Sequence, residues 1–412
     1  MDARTVCAVA WRNLGRNRRR TLLTASAIGF ASMLLVFMMS LQGGSYRIMI
    51  DNAARLLGGH VQIQHPRWQA DQRIRHHLDR AAQRMEALAA VPGVRSVMPR
   101  AESFAVLAGD ARSFGGLVMG VDPERERGFS LLPDYVVEGR WLSGASGEIV
   151  LGEALARNLD VTLGDEVVIL GSAPDGSVAA AAARVTGLLR TDQAQIDRSL
   201  AQIPIADFRE AFLLGDGAHA LVVQLDDVGE AGSLAPRLEA AARLGPDDPV
   251  VARDWAELMP DLVQMIELDR ISGYFFYLLL ALMVTFSIAN TFMMTVFERT
   301  REFGTLFAIG ARPGFVIGLL QLEALTLCGL GVLGGTLLGI LLTLGVGAVG
   351  IPVGGAGAEL LRQYHLPERI HPGLTLEAIR VGPLFMLVAT QIAALLPALR
   401  LLRLEPVVAL RE

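Results

Sequence analysis

Lysine does not occur once in the 412 residues; all 37 basic side chains are arginine. A P-loop ATPase grips its nucleotide phosphates with the lysine of GxxxxGK[ST], so this chain cannot be such an ATPase by itself. An ATP-driven activity would need a partner chain. Cysteine is nearly absent too. Cys7 lies in a basic stretch and Cys328 in an apolar one, which excludes a disulfide framework and a cysteine-ligated zinc site. No HExxH, GxSxG or clustered carboxylate is present, and His60, His65, His76 and His77 follow no metal-ligand spacing. We therefore assign no catalytic, cofactor-binding or metal-ligating residue. Charge is scarce as well, at 19% of residues against 52% apolar, and the apolar residues are gathered in blocks, as in a membrane protein.

The charges that are present are sorted by position. Residues 1–20 carry six Arg and one Asp, residues 44–270 carry 22 Arg and 33 acids, and residues 271–412 carry nine Arg and eight Glu. Arginine beside a first apolar run is an orientation signal that holds the N-terminus in the cytoplasm; nothing marks it as a nucleic-acid patch. Thr21 to Gln42 is uncharged and long enough to cross a bilayer of roughly 30 Å. A cleavable signal peptide is the rival reading, but its apolar stretch would be shorter and its cleavage site better formed than Gly43-Gly44-Ser45-Tyr46.

The pattern predicts four membrane-spanning helices with a large α+β extracytoplasmic domain between the first and second. The expected order is an amphipathic cytoplasmic segment at 1–20, a span at 21–43 and the outer domain with helical stalks at 44–270. A span at 271–297, a cytoplasmic loop at 298–313 and a span at 314–350 follow. An outer loop at 351–380, a span at 381–400 (Pro383 to Leu399 in its apolar part) and a tail at 401–412 complete it. Within the outer domain, alternation predicts strands at His60–Gln64, Val94–Met98, Phe104–Leu107, Leu117–Val121, Glu148–Leu151, Glu166–Leu170, Arg184–Leu189 and Ala220–Leu225. Helices are expected at Gln72–Ala90, Ala154–Leu159, Ile205–Leu213 and Ala231–Arg243. The Ala/Gly/Ser-rich stretch Gly171–Ala183 reads as a flexible hairpin tip. Residues 254–270 read as a helix capped by Asp254, and a short helix is expected near Ala358–Tyr364.

Between two apolar runs lies ERTREFGTLFAIGARP, Glu298 to Pro313. Arg299, Arg301 and Arg312 place it in the cytoplasm. Phe303, Leu306, Phe307 and Ile309 recur at helical spacing, so the segment can form a short amphipathic helix across the membrane surface. An ordinary solvated turn is the plain alternative. Glu323, about three turns into the next apolar run, suits an interhelical hydrogen bond better than a proton carrier. Gly331, Gly335 and Gly339 form a small-xxx-small face for helix packing, although 43 glycines produce such spacing by chance.

The order ERTREFGTLFAIGARPGFV resembles the coupling segment of the ABC permease superfamily typified by MacB, FtsX, LolC and LolE. The resemblance runs through AWRNLGRNRRRTLLT, VPGVRSVMPR, EGRWLSGASGEIVLGEALARNLDVTLGDEVVIL and the closing LLPALRLLRLEPVVALRE. No ATPase domain is present and the outer domain is large, so the LolC/LolE-like branch is the nearest match. The resemblance implies a type VII ABC permease-like fold in a bacterial inner membrane, with the large domain in the periplasm. Its partners would be a cytoplasmic ABC ATPase dimer that holds ATP and magnesium, and a second permease copy or related permease. Membrane lipids and a periplasmic carrier or lipoprotein cargo would complete the set. It implies that Glu298, Arg299, Arg301, Glu302, Phe303, Leu306 and Phe307 contact the ATPase. Mechanotransmission for lipoprotein release or export of a hydrophobic cargo is the expected function. Two alternatives stay open: a signalling permease that activates a periplasmic partner, and a membrane-anchored enzyme or receptor, against which the missing motifs count.

Overall fold

The apolar blocks are helices. The computed structural model describes residues 18–191, 193–352 and 369–399, so the expected helix near Ala358–Tyr364, the segment 1–17 and the tail after 400 lie outside the described residues. The described residues divide into a helical unit, built from 18–46, 265–352 and 369–399, and a strand-rich unit within 47–264.

Helix α1 runs from Arg18 to Ala53, α2 from Pro260 to Glu298, α3 from Thr300 to Ala308, α4 from Pro313 to Val349 and α5 from Leu376 to Leu399. By length and composition, α1, α2, α4 and α5 could each cross a membrane. In α2 only 11% of the most apolar stretch is buried inside the protein, so most of its leucines and phenylalanines, among them Phe275, Phe276, Leu278, Leu282 and Phe286, face outward. Such a surface suits lipid and not water. Ile28, Ala31 and Leu35 of α1, Ala281, Ile288 and Phe292 of α2, Ala324, Leu327 and Cys328 of α4, and Met386 and Ala393 of α5 share one core. The last helix starts earlier than the expected 381–400 span, at Leu376. Pro383 lies inside it, which an apolar environment and neighbouring helices tolerate better than water does.

The strand-rich unit has ten strands in chain order: β1 (Val61–Gln64), β2 (Val94–Ala108), β3 (Ser113–Val121), β4 (Val136–Gly139), β5 (Glu148–Gly152), β6 (Glu166–Ser172), β7 (Val178–Leu189), β8 (Leu200–Pro204), β9 (Ala220–Leu225) and β10 (Val251–Asp254). The sheet runs β10-β1-β9-β2-β3-β8-β5-β7-β4, and β6 bridges β2 and β7. That bridge closes a ring of six strands, β2-β3-β8-β5-β7-β6. Inside it and beneath its helices lie Leu107, Val118, Ile149, Leu151, Val167, Ile169 and Phe208. A second core lies where the helices Ala81–Ala89 and Ala231–Ala242 pack on β1, β9 and β10, around Ile63, Leu88, Leu221 and Leu238. The 15-residue β2 serves both cores: its first half pairs with β9 and its second with β3 and β6. At the open edge β10 pairs antiparallel with β1, with Val61 opposite Asp254.

Several expectations are corrected. Only Ala81–Ala89 of the expected Gln72–Ala90 helix is helical, because Leu78 instead exchanges backbone hydrogen bonds with Ala218 (2.8 and 3.0 Å) and Arg80 has left-handed backbone geometry. The expected hairpin tip Gly171–Ala183 is mostly ladder: β6 and β7 pair from Ser172/Val178 to Glu166/Arg184, leaving only Ala173–Ser177 as the turn. The helix after Asp254 is broken. Asp254 caps Trp255–Leu258 through the Glu257 amide at 3.0 Å, Met259 leaves helical geometry, and α2 begins at Pro260. At its far end α1 passes into a π turn, Ala54–Gly58.

Candidate functional site

The loop between α2 and α4 is built by local rules. The helix α3 ends in a two-bond cap: Ala311 N donates to Leu306 O at 2.9 Å and Gly310 N to Phe307 O at 3.0 Å. Gly310 has φ +96°, the left-handed geometry such a stop requires and glycine adopts freely. Three residues on, Pro313 occupies the first turn of α4, where its missing N–H costs nothing.

This short helix is pinned into the bundle. Phe303 is fully buried and clusters with Val296 of α2, Val316 and Leu320 of α4 and Ala398 of α5, with Leu306 and Phe307 packed against the same group. Arg299 donates to Glu302 at 3.0 Å and to both oxygens of Glu323 at 3.1 and 3.2 Å, and its guanidinium lies 5.2 Å from the Phe303 ring centre. Burial works against the Arg299 charge, but the Glu323 and Glu302 carboxylates together outweigh it and the net shift of its pKa is upward. The guanidinium therefore stays charged in its half-buried place. Glu298 pairs with Arg20 of α1 at 2.7 Å.

This packing redirects one member of the expected docking face. Phe303 points inward, and Leu306 and Phe307 are half-buried against it. Helical spacing identified the apolar face but not its direction. Arg299 is half-buried and tied to Glu302 and Glu323, while Glu298 stays exposed and is paired with Arg20. What faces outward is Arg301, Glu302, Thr305 and Ile309, the last 76% exposed. Sequence reasoning missed Arg20 as the partner of Glu298; the available signal was its place as the last charge before the first apolar run.

All three glycines of the expected packing face meet α1. A Cβ on Gly331 would lie 2.9 Å from Ala25 O, one on Gly339 3.0 Å from Met33 O, and one on Gly335 would overlap Gly29 O. Ser32 extends the seam with a 3.4 Å bond to Val332 O. Among the described residues this site has no nucleophile–base pair; its groups can hold and orient.

A family model described as the MacB-like periplasmic core domain matches residues 21–241, and one described as the FtsX-like permease C-terminal matches residues 274–406. The chain belongs to the MacB/FtsX/LolC–LolE permease superfamily. The first match takes in α1 from residue 21 and the strand-rich unit as far as residue 241, stopping short of β10, and the second takes in α3. Among similar proteins is the lipoprotein-releasing system transmembrane protein LolC of Neisseria meningitidis serogroup B, 26% identical over 62% of this chain and 63% of that protein. The chain thus spans a little under two thirds of that relative. LolC of Xylella fastidiosa strain 9a5c is 28% identical over 78% of each chain. The macrolide export ATP-binding/permease protein MacB of Bordetella avium is 25% identical over 82% of this chain and 51% of its own. Within the superfamily this chain is LolC/LolE-like, an ABC-type permease without ATPase motifs.

Proposed function

We propose that this chain is the permease subunit of an ATP-driven transporter in a bacterial inner membrane. Its α1, α2, α4 and α5 are spans, residues 44–270 face the periplasm, and the loop 298–313 faces the cytoplasm. A separate ABC ATPase dimer binds ATP and magnesium and pushes on the exposed side of α3. A second permease copy or a related permease completes the pair. The stroke moves the periplasmic domains and releases a lipoprotein or another hydrophobic cargo, with a periplasmic carrier as the receiver.

One observation carries this reading. Through Phe303, α3 rests on α2, α4 and α5 together, while Arg299 ties it to Glu323 on α4. A push on its outer face therefore reaches three apolar helices without an intervening flexible joint. An exposed apolar side chain in a segment that also exposes charge, as Ile309 is with Arg301 and Glu302, suits a groove in a partner.

The test is co-purification of this chain with a separately encoded ABC ATPase. Ile309→Asp with Arg301→Glu should weaken that complex by about 2 kcal/mol or more, roughly thirtyfold, while circular dichroism and gel filtration stay unchanged. Phe303→Ala should instead destabilise the helical unit by about 3 kcal/mol, as loss of a buried Phe does. A folded Ile309→Asp/Arg301→Glu protein that kept its ATPase and its coupled turnover would refute the assignment of this face.

A further inference from the structure

Polar side chains join α1 and α2 at two levels. At the first, Arg20 Nη1 donates to Glu298 Oε2 at 2.7 Å and Nη2 to Thr295 Oγ1 at 2.7 Å, with Thr291 O as a further acceptor. At the second, Tyr46 OH donates to Asp269 Oδ2 at 2.6 Å, and Gln42 Nε2 donates to the same oxygen at 3.1 Å. Tyr277 OH donates in turn to Gln42 Oε1 at 2.9 Å. Gln42 lies twenty-two residues after Arg20, about 33 Å along a helix, which matches a hydrocarbon layer of roughly 30 Å. Between the two levels the contacts are apolar, among them Ile28, Leu35, Ala281 and Ile288.

That distribution matters in lipid. Apolar side chains gain little by leaving lipid for one another, so helix pairs depend on close packing and on polar contacts. The seam of α1 with α4 has the close packing, through Gly331, Gly335 and Gly339. The α1–α2 pair has the polar ends. Gly273 shapes the second level: a Cβ there would fall 2.8 Å from Gln42 Nε2, so glycine leaves room for the amide. Gln42, Tyr46 and Tyr277 border a cavity of about 90 Å³ with Arg270, Tyr274 and Glu377. Their hydrogen bonds are already made to one another: Tyr274 OH donates to Glu377 at 2.9 Å, and Gln42 and Tyr46 are taken by Asp269. A ligand would have to break this network, which argues for a joint and against a binding pocket.

We infer that Gln42, Tyr46, Asp269 and Tyr277 are positioning residues. They form a clasp that, with Arg20–Glu298 at the opposite end, holds α1 and α2 as one member throughout the transport cycle. Because α1 and α2 run into the two stalks, the stroke is delivered by the pair, and neither helix slides past the other. This rests on the permease function proposed above.

The test uses the full chain with its ATPase in lipid nanodiscs. Cys7→Ser and Cys328→Ala clear the background, and spin labels are placed at Leu41→Cys and Leu268→Cys, beside the clasp but outside it. With the clasp intact, spin–spin broadening should be the same without nucleotide and with ATP trapped by vanadate. Adding Asp269→Ala should cut the strongly coupled share by more than half. Asp269→Asn, which keeps an acceptor for Tyr46, should restore most of it, a rescue that bulk packing alone would not produce. Labels that separate on ATP trapping in the intact protein would show a gate that opens, and the inference falls. It falls equally if Asp269→Ala leaves the coupling unchanged. If the ATPase neither binds nor responds to ATP, the permease reading fails, while the Asp269 variants still decide the clasp.

Discussion

His219 is fully buried in the strand-rich unit, yet nothing in HALVV singles it out. Its Nδ1 accepts from the Glu102 amide at 2.9 Å, its Nε2–H donates to Ile74 O at 3.0 Å, and its ring stacks on Trp68 with centres 4.2 Å apart. The ring is therefore neutral, and burial lowers its pKa to about 4. The unfolded chain binds a proton near pH 6.5 that the folded one refuses. Stability is thus complete above pH 6.5 and falls as pH drops toward 4, by roughly 3 kcal/mol in all. Urea unfolding followed by near-ultraviolet circular dichroism should show that slope. His219→Phe, less stable at every pH because two backbone groups lose their partner, should show a smaller one. The residue scale is where sequence reasoning reached least far. Glu323 was legible as an interhelical partner because an isolated acid in an apolar helix needs one. The direction of Phe303 was not, because a membrane surface and a helix bundle are both apolar and periodicity cannot tell them apart.

Among the elements, long apolar runs gave their helices away by length alone, and alternation located most strands. Failures have local causes. Strand β8, LAQIP, is buried along its whole length, so it shows no alternation to read. Alanine is a poor strand former, yet Ala179 to Ala183 pair fully with β6; tertiary pairing overrides propensity there. The glycine face of α4 provides a matched experiment. Gly335→Ala must push α4 away from Gly29 of α1 and should cost about 1–3 kcal/mol. One residue earlier, Gly334 has open space where its Cβ would be. Gly334→Ala should be neutral or stabilise by up to about 1 kcal/mol through helix propensity. Thermal unfolding of the two variants in the same detergent separates packing from propensity. Equal effects would mean that the α1–α4 seam does not set stability.

At the scale of the whole chain, the order of one apolar helix, a large polar domain and three more apolar helices was legible, because charge and hydropathy change abruptly at each boundary. The sharing of β2 between two cores was not, since nothing in fifteen consecutive strand residues marks where one partner strand hands over to the next. The proposed orientation has a direct check. In a background without Cys7 and Cys328, a membrane-impermeant maleimide should label Gly176→Cys in intact spheroplasts and Thr305→Cys only after lysis. Labelling at 305 from outside would overturn the four-span arrangement.

The pairing of β1 with β10 has a mechanical consequence. Val61, the first residue of β1 after α1, lies opposite Asp254, the last residue of β10 before α2. Both tethers of the strand-rich unit therefore attach at the same end of one antiparallel pair. Forces pulling the tethers apart would unzip that pair one rung at a time, the weakest loading a sheet can meet. Equal forces in one direction would strain no rung against another. In an optical trap, handles at residues 57 and 259 should open β10 at low force, whereas handles at 57 and 176 should meet a higher barrier, because that path must also disrupt the closed ring.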